Sequence, residues 1–171
     1  KPFIAVDCGA IPGTLIANEL FGHEKDAFTG ANSKKDGLFL KANGGTLFLD
    51  EIGEIPIDIQ PVLLRAIQER IIRPVGAVST LGIDVRIISA TNKNIEEAIK
   101  NNSFRLDLLY RLNVVTLKMP PLRQRKDDIP ILVKKFIDTF SKNKDYRSIE
   151  GIDREALYYL QRYDWPGNIR E

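Results

Sequence analysis

The chain has 171 residues, 43% of them hydrophobic, which is enough for one packed domain, or for one domain and part of a second. Lysine and arginine (25) barely exceed aspartate and glutamate (23), and the resulting net charge of +2 is too even for a nucleic-acid groove or a polyanion-binding face. A single cysteine, Cys8, excludes an internal disulfide framework and a cysteine metal cluster, and is expected as a small buried thiol. No apolar stretch approaches the roughly 20 residues of a membrane helix, so a cytoplasmic protein that does not cross a membrane is expected.

The chain opens at Lys1-Pro2 directly on an apolar run, Phe3 to Val6, which reads as a strand. The stretch from Leu20 to Ala31 does not behave like a connector. Leu20-Phe21-Gly22-His23-Glu24 is followed by Asp26-Ala27-Phe28-Thr29-Gly30-Ala31, which sets an aromatic residue among small, flexible neighbours. Such a loop either folds its Phe28 back into the core or presents it as a contact tip to a partner. Thr46 to Leu49 reads as a strand entered through Gly44-Gly45 and left through Asp50-Glu51. A helix over Ile59 to Arg70 is expected behind Asp58, then a glycine-bearing segment from Val75 to Gly82 that suits a moving loop or an ordinary hairpin turn.

Val85 to Ser89 is the third expected strand, followed by Thr91-Asn92 and by a helix over Ile95 to Lys100 capped by Asn94. Val114 to Lys118 is the fourth. After Pro120-Pro121 the texture changes: Ile129 to Lys142, led by Asp127 or Asp128, and Asp153 to Tyr163 have helical spacing, and no strand follows. Strands alternating with helices predict an α/β sandwich around a largely parallel sheet over residues 1–120, followed over 121–171 by the start of a small helical subdomain broken by the turn Trp165-Pro166-Gly167. Asn168 looks like the cap of a helix continuing beyond Glu171, and both ends of the chain read as cut.

The acids at the end of the second strand carry the first chemical hint. Ligands of open α/β sheets sit at the carboxyl edge of the strands. In P-loop NTPases an acid in the position of Asp50 holds Mg²⁺, usually through water, and the next carboxylate, here Glu51, can take a proton from the attacking water.

In this order and spacing, ELFGHE, DAFTGA, GGTLFLDE, SATN, FRLDLLYRL, PPLRQR and WPGNIRE resemble the central AAA+ domain of bacterial sigma-54-dependent transcriptional activators, the enhancer-binding proteins, from Pro2 to Glu171. The resemblance implies an AAA+ P-loop-type αβα sandwich with a helical lid, ATP and Mg²⁺ as ligands, and hydrolysis that remodels a sigma-54 RNA polymerase–promoter complex. Asp50 would then organise Mg²⁺ and Glu51 would polarise the attacking water. Thr91 and Asn92 match the sensor I position that reads the γ-phosphate, against a plain turn as the bland alternative for Asn92. Arg105 and Arg111 match arginines that reach a neighbouring subunit's nucleotide, each with a salt bridge to Asp107 or another acid on the same helix as the alternative. Arg170 matches the sensor II arginine.

Phe28, Thr29 and Gly30 would form the tip that engages sigma-54, with the loop around Val75 to Gly82 accompanying it. The resemblance further implies a ring, a hexamer in the parent protein, and DNA recognition through a separate helix-turn-helix domain outside this chain. A non-catalytic sigma-factor-binding module on the same fold and an unrelated AAA+ remodeller are the alternatives.

Three positions depart from the pattern. Asp26 stands where such loops begin with glycine, which adds a charge and removes conformational freedom. Asp7 stands where asparagine commonly holds the catalytic carboxylate idle, and an aspartate facing Glu51 would repel it. No G-x-x-x-x-G-K-[ST] occurs in the 171 residues, so the expectation is an ATPase parent and an inactive isolated chain.

Overall fold

In the computed structural model, which describes residues 1–141, 149 and 151–171, the first apolar run forms β1 (Phe3–Asp7) and leads into α1 (Gly13–Phe21). Gly22, at φ 80°, ends this helix, and β2 (Gly22–His23) then pairs antiparallel with β3 (Lys35–Asp36), so that residues 24–34 stand out as a loop between them. The short α2 (Leu38–Lys41) returns the chain to β4 (Thr46–Asp50). A 3₁₀ turn and α3 (Gln60–Glu69) follow, then β5 (Ile71–Ile72) and β6 (Leu81–Gly82), an antiparallel pair carrying residues 73–80 at its tip. The strand β7 (Arg86–Ser89) and the helices α4 (Ile95–Lys100) and α5 (Leu106–Leu112) complete the first of two compact units, Lys1–Val115.

The central sheet has the order β1-β4-β7, and both pairings are parallel. Parallel neighbours cannot be joined by a tight hairpin, so each crossover carries helices, α1 and α2 before β4 and α3 before β7. The middle strand lies deepest: Leu47 and Leu49 are fully buried among Ile16 and Leu20 of α1, Leu63 of α3 and Leu108 of α5. Phe21 stacks on Phe39 with ring centroids 5.6 Å apart, which ties the end of α1 to α2.

The second unit, Thr116–Glu171, is helical among its described residues, with α6 (Ile129–Phe140) and α7 (Arg154–Arg162). Asn94 caps α4 through the Glu97 N–H as the sequence predicts, and the side chain of Asp153 accepts the Ala156 N–H and caps α7. The expected end of α6 at Lys142 lies outside the described residues.

Three expectations need correction. Val114 to Lys118 forms no strand: among the described residues it joins no ladder, and its apolar side chains are exposed, Val114 at 81% and Leu117 at 84%. High β propensity does not make a strand without a ladder to join. Asp58 does not cap α3, because Ile59 occupies the cap position, without a side-chain bond, ahead of Gln60 and Pro61. Asn168 is not a helix cap but part of a 3₁₀ turn, Asn168–Arg170, where its Oδ1 accepts the Leu122 N–H at 2.8 Å.

At the root of the 24–34 loop two glycines let the backbones touch. A Cβ on Gly22 would fall 2.3 Å from the Lys35 carbonyl oxygen, and one on Gly37 would fall 2.4 Å from the Gly22 nitrogen. Gly22→Ala combines this overlap with a left-handed φ, so it should cost more than the ~1 kcal/mol of a simple glycine replacement. Chemical denaturation should show the loss, and hydrogen exchange should show it concentrated in residues 22–36.

Candidate functional site

The parallel strands end at one level because their ladder continues past the strand ends. The Cys8 N–H donates to the Asp50 carbonyl at 3.0 Å, the Ala90 N–H to that of Leu49 at 2.9 Å, and the Ile52 N–H to that of Ala90 at 2.9 Å. Asp7, Asp50, Glu51, Thr91 and Asn92 therefore meet along one sheet edge.

Glu51 turns the chain away from β4 in a left-handed conformation, φ 52° and ψ 49°, an uncommon setting for a side chain of this size. Its carboxylate is held by Asn92, whose Nδ2 donates to Oε1 at 2.8 Å and whose N–H donates to Oε2 at 3.3 Å. Asp50 Oδ1 accepts the Glu51 N–H at 3.1 Å. Asp7, which stands where asparagine commonly holds the catalytic carboxylate, accepts the N–H groups of Gly9 at 2.9 Å and Ala10 at 3.2 Å through its Oδ1. The grip on Glu51 thus comes from Asn92, a neutral amide donor that meets no charge repulsion.

Among the described residues no group of three or more His, Cys, Asp or Glu side chains is placed to hold a metal. Lys93 was not singled out from the sequence, yet it borders this edge: its Nζ pairs with Glu54 at 2.8 Å and reaches the Gly53 carbonyl at 3.3 Å. The Thr91 hydroxyl accepts the Lys93 N–H at 3.1 Å.

The loop at residues 24–34 is ordered by its own backbone. Asp26 N–H donates to Ala31 O at 2.8 Å and Ala31 N–H to Phe28 O at 3.0 Å. Asp26 adopts φ 62°, a region open to glycine and, among side chains, reached most readily by Asn and Asp. The departure from glycine is thus accommodated in the backbone. Phe28 does not enter the core; it remains 43% exposed and meets the His23 ring edge to face at 5.1 Å. His23 in turn bonds Asn18 of α1. The second loop is tied to the first, since Glu24 N–H donates to Val75 O at 3.0 Å, Val75 N–H donates to Gly22 O at 2.8 Å, and Gly76 faces Ala27 so closely that a Cβ would lie 2.6 Å away.

Arg105 and Arg111 stand at opposite ends of α5. The Arg105 guanidinium forks onto Asp107, and this contact raises the arginine pKa and lowers that of the aspartate. Arg111 is exposed in the last turn beside a cavity of about 260 Å³ lined by Phe39, Ile67 and Ile87. The start of α5 is pinned by Gln60, a residue not singled out from the sequence although it is fully buried. Its amide nitrogen donates to Ile55 O and Ser103 O, both at 2.9 Å, and its Oε1 accepts the Arg105 N–H at 2.8 Å. The available signal was a polar residue sharing the helix face of Leu63 and Ile67. Arg170 lies in the second unit, beside a cavity of about 310 Å³ lined by Leu132, Phe136 and Trp165. A cavity of about 650 Å³ is bordered by Phe21, Val62, Ile72, Val75 and Val78 with no acid among its lining residues, so it is separate from the strand-edge site.

Cys8 lies next to the site and is almost fully buried. Desolvation, and after it the charges of Asp7 and Asp50, push its thiol up from 9.0 to about 12. The folded state therefore keeps a proton that the unfolded state gives up, and stability should fall as pH rises from about 9 towards about 12. Urea titrations across this range should show a steeper decline in the wild type than in Cys8→Ala, and the folded thiol should resist alkylation at pH 8.

Residues 1–118 match the model of the sigma-54 interaction domain, and residues 123–171 match that of the AAA+ ATPase lid domain. The regulatory protein AtoC of Escherichia coli K12 is 51% identical over 99% of this chain, and the DNA-binding transcriptional activator HyfR of the same organism is 49% identical over all of it. The chain spans 37% and 25% of their respective lengths. The crystal structure of NtrX from Brucella abortus superimposes with a TM-score of 0.89 at 36% identity, covering 99% of this chain and 38% of that one, and NtrX has also been solved with ADP and with ATP.

Proposed function

Because the chain belongs to the sigma-54 interaction domain family and has the α/β AAA+ fold, we propose that it is the ATP-hydrolysing, sigma-54-engaging core of a bacterial transcriptional activator that works in the cytoplasm. The observation that carries the reading is the acidic strand end, with Asp50 and Glu51 side by side and the Glu51 carboxylate bonded to Asn92. The relatives' names support regulation of transcription, and NtrX, a structural neighbour, has been solved with ATP.

On this reading Glu51 is the base that orients and deprotonates the attacking water, and Asn92 senses the γ-phosphate. Asp50 would hold Mg²⁺ through water, and the ion would neutralise charge on the phosphates. Thr91 sets the turn that aims Asn92, since its hydroxyl accepts the Lys93 N–H. Asp7 shapes the neighbouring turn and adds negative charge to the edge. Arg105 and Arg111 act on a neighbouring subunit's triphosphate, where a guanidinium stays charged and forks onto phosphate oxygens. Residues 121–171 act as a lid carrying Arg170 towards the nucleotide, and the subunits close into a ring, a hexamer in the parent protein. Enhancer DNA is bound by a separate domain of that protein.

Phe28, Thr29 and Gly30 form the surface that meets sigma-54. Val75 of the neighbouring loop bonds Glu24 of this loop and Gly22 at its root, so the two move as one body when the nucleotide state changes. The 171 residues contain no G-x-x-x-x-G-K-[ST], and by themselves they do not turn over ATP.

The test is made on the full-length protein. Glu51→Gln should lower ATP turnover by about 100-fold or more while nucleotide still binds, which removing a catalytic base predicts. Phe28→Ala should abolish cross-linking to sigma-54 and leave turnover within a few fold. Wild-type turnover in the Glu51→Gln protein would end the enzymatic reading and leave a binding module. Undiminished cross-linking in Phe28→Ala would end the contact assignment.

A further inference from the structure

Arg105 is rooted firmly and tipped loosely. Its backbone N–H is held by the fully buried Gln60 at 2.8 Å, so the start of α5 is fixed to the core and only the side chain can swing. The side chain is taken by Asp107, with Nε donating to Oδ1 at 3.0 Å and an Nη to Oδ2 at 2.7 Å. Asp107 is itself held, since Oδ1 also accepts the Leu108 N–H at 2.8 Å in the first turn of α5. This carboxylate is aimed at the arginine by the helix that bears it.

The occupied face of the guanidinium is the one a pair of phosphate oxygens would use, because Nε and an Nη donate in parallel. Arg105 cannot fork onto Asp107 and onto a triphosphate through that face at once. Both side chains of the pair are also substantially exposed, 42% and 45%, so water and salt weaken the bond and make it exchangeable. A triphosphate, with more charge than one carboxylate, is a competitor able to take the arginine.

From this geometry we infer that Asp107 is a positioning residue that keeps Arg105 folded back on its own subunit until a neighbour's triphosphate draws it across. The inference rests on the trans role proposed for Arg105 and adds to it a restraint that suppresses assembly in the absence of nucleotide. Asp107 touches neither substrate nor reacting atoms; it acts through the arginine alone.

The experiment measures self-association of the full-length protein by sedimentation velocity while a non-hydrolysable ATP analogue is titrated. Asp107→Asn removes the charge but keeps an oxygen for the Leu108 N–H, and Asp107→Ser serves the same end if the first variant folds poorly. The analogue concentration for half-assembly should fall about two- to fivefold, the range that releasing one exposed ion pair allows. In an Arg105→Ala background the same substitution should change nothing, which a merely structural effect of Asp107 would not reproduce. Unchanged or weaker assembly in both Asp107 variants, while Arg105→Ala alone impairs assembly, overturns the restraint. Wild-type assembly and turnover in Arg105→Ala instead overturns the trans role on which it stands.

Discussion

The alignment of the parallel strand ends is the constraint on which the candidate site depends. Each strand places a polar residue at its carboxyl end, but only the register sets Asp7 opposite Asp50. Only the hydrogen bonds from Ile52 to Ala90 and from Ala90 to Leu49 bring Glu51 beside Asn92. The buried middle strand enforces that register, since a slip of one residue would turn Leu47 and Leu49 out of the core and set Phe48 inward. Packing energy spread across the sheet is in this way converted into the placement of a few polar atoms.

The same logic explains how separate parts of the first unit are held together. Gln60 satisfies backbone groups on the turn after the acids and on the approach to α5. A buried amide with both N–H groups donated and its oxygen accepting is specific in a way that an apolar side chain is not, because moving any partner strands a polar group away from water. The two loops are coupled by backbone bonds and by the close approach of Gly76 to Ala27, which is independent of most side chains.

Much of this was legible in the sequence for identifiable reasons. The apolar run from Leu47 to Leu49, bounded by glycines and acids, leaves few readings, and Asn94 announced its helix. What escaped depended on partners distant in sequence. The helix α1 was not foreseen because Gly13, Thr14 and Asn18 dilute its helical signal, although Ile16, Leu20 and Phe21 are buried. Val114 to Lys118 has strand composition without a strand to pair with, and local propensity carries no information about that. For Glu51 the sequence named no hydrogen-bond donor within the chain, and the geometry supplied Asn92, because a turn of two residues after Ala90 was enough to bring the amide across.

The contact between Gly22 and Gly37 has a consequence for how such a protein can diverge. A segment whose two roots already touch pays a closure entropy that grows only slowly with its length, about 0.6 kcal/mol per doubling, and it transmits little strain into the body it leaves. Residues 28–30 at its tip can therefore change chemistry while the scaffold beneath keeps its shape, within the limit set by the ties of Glu24 and Ala27 to the neighbouring loop.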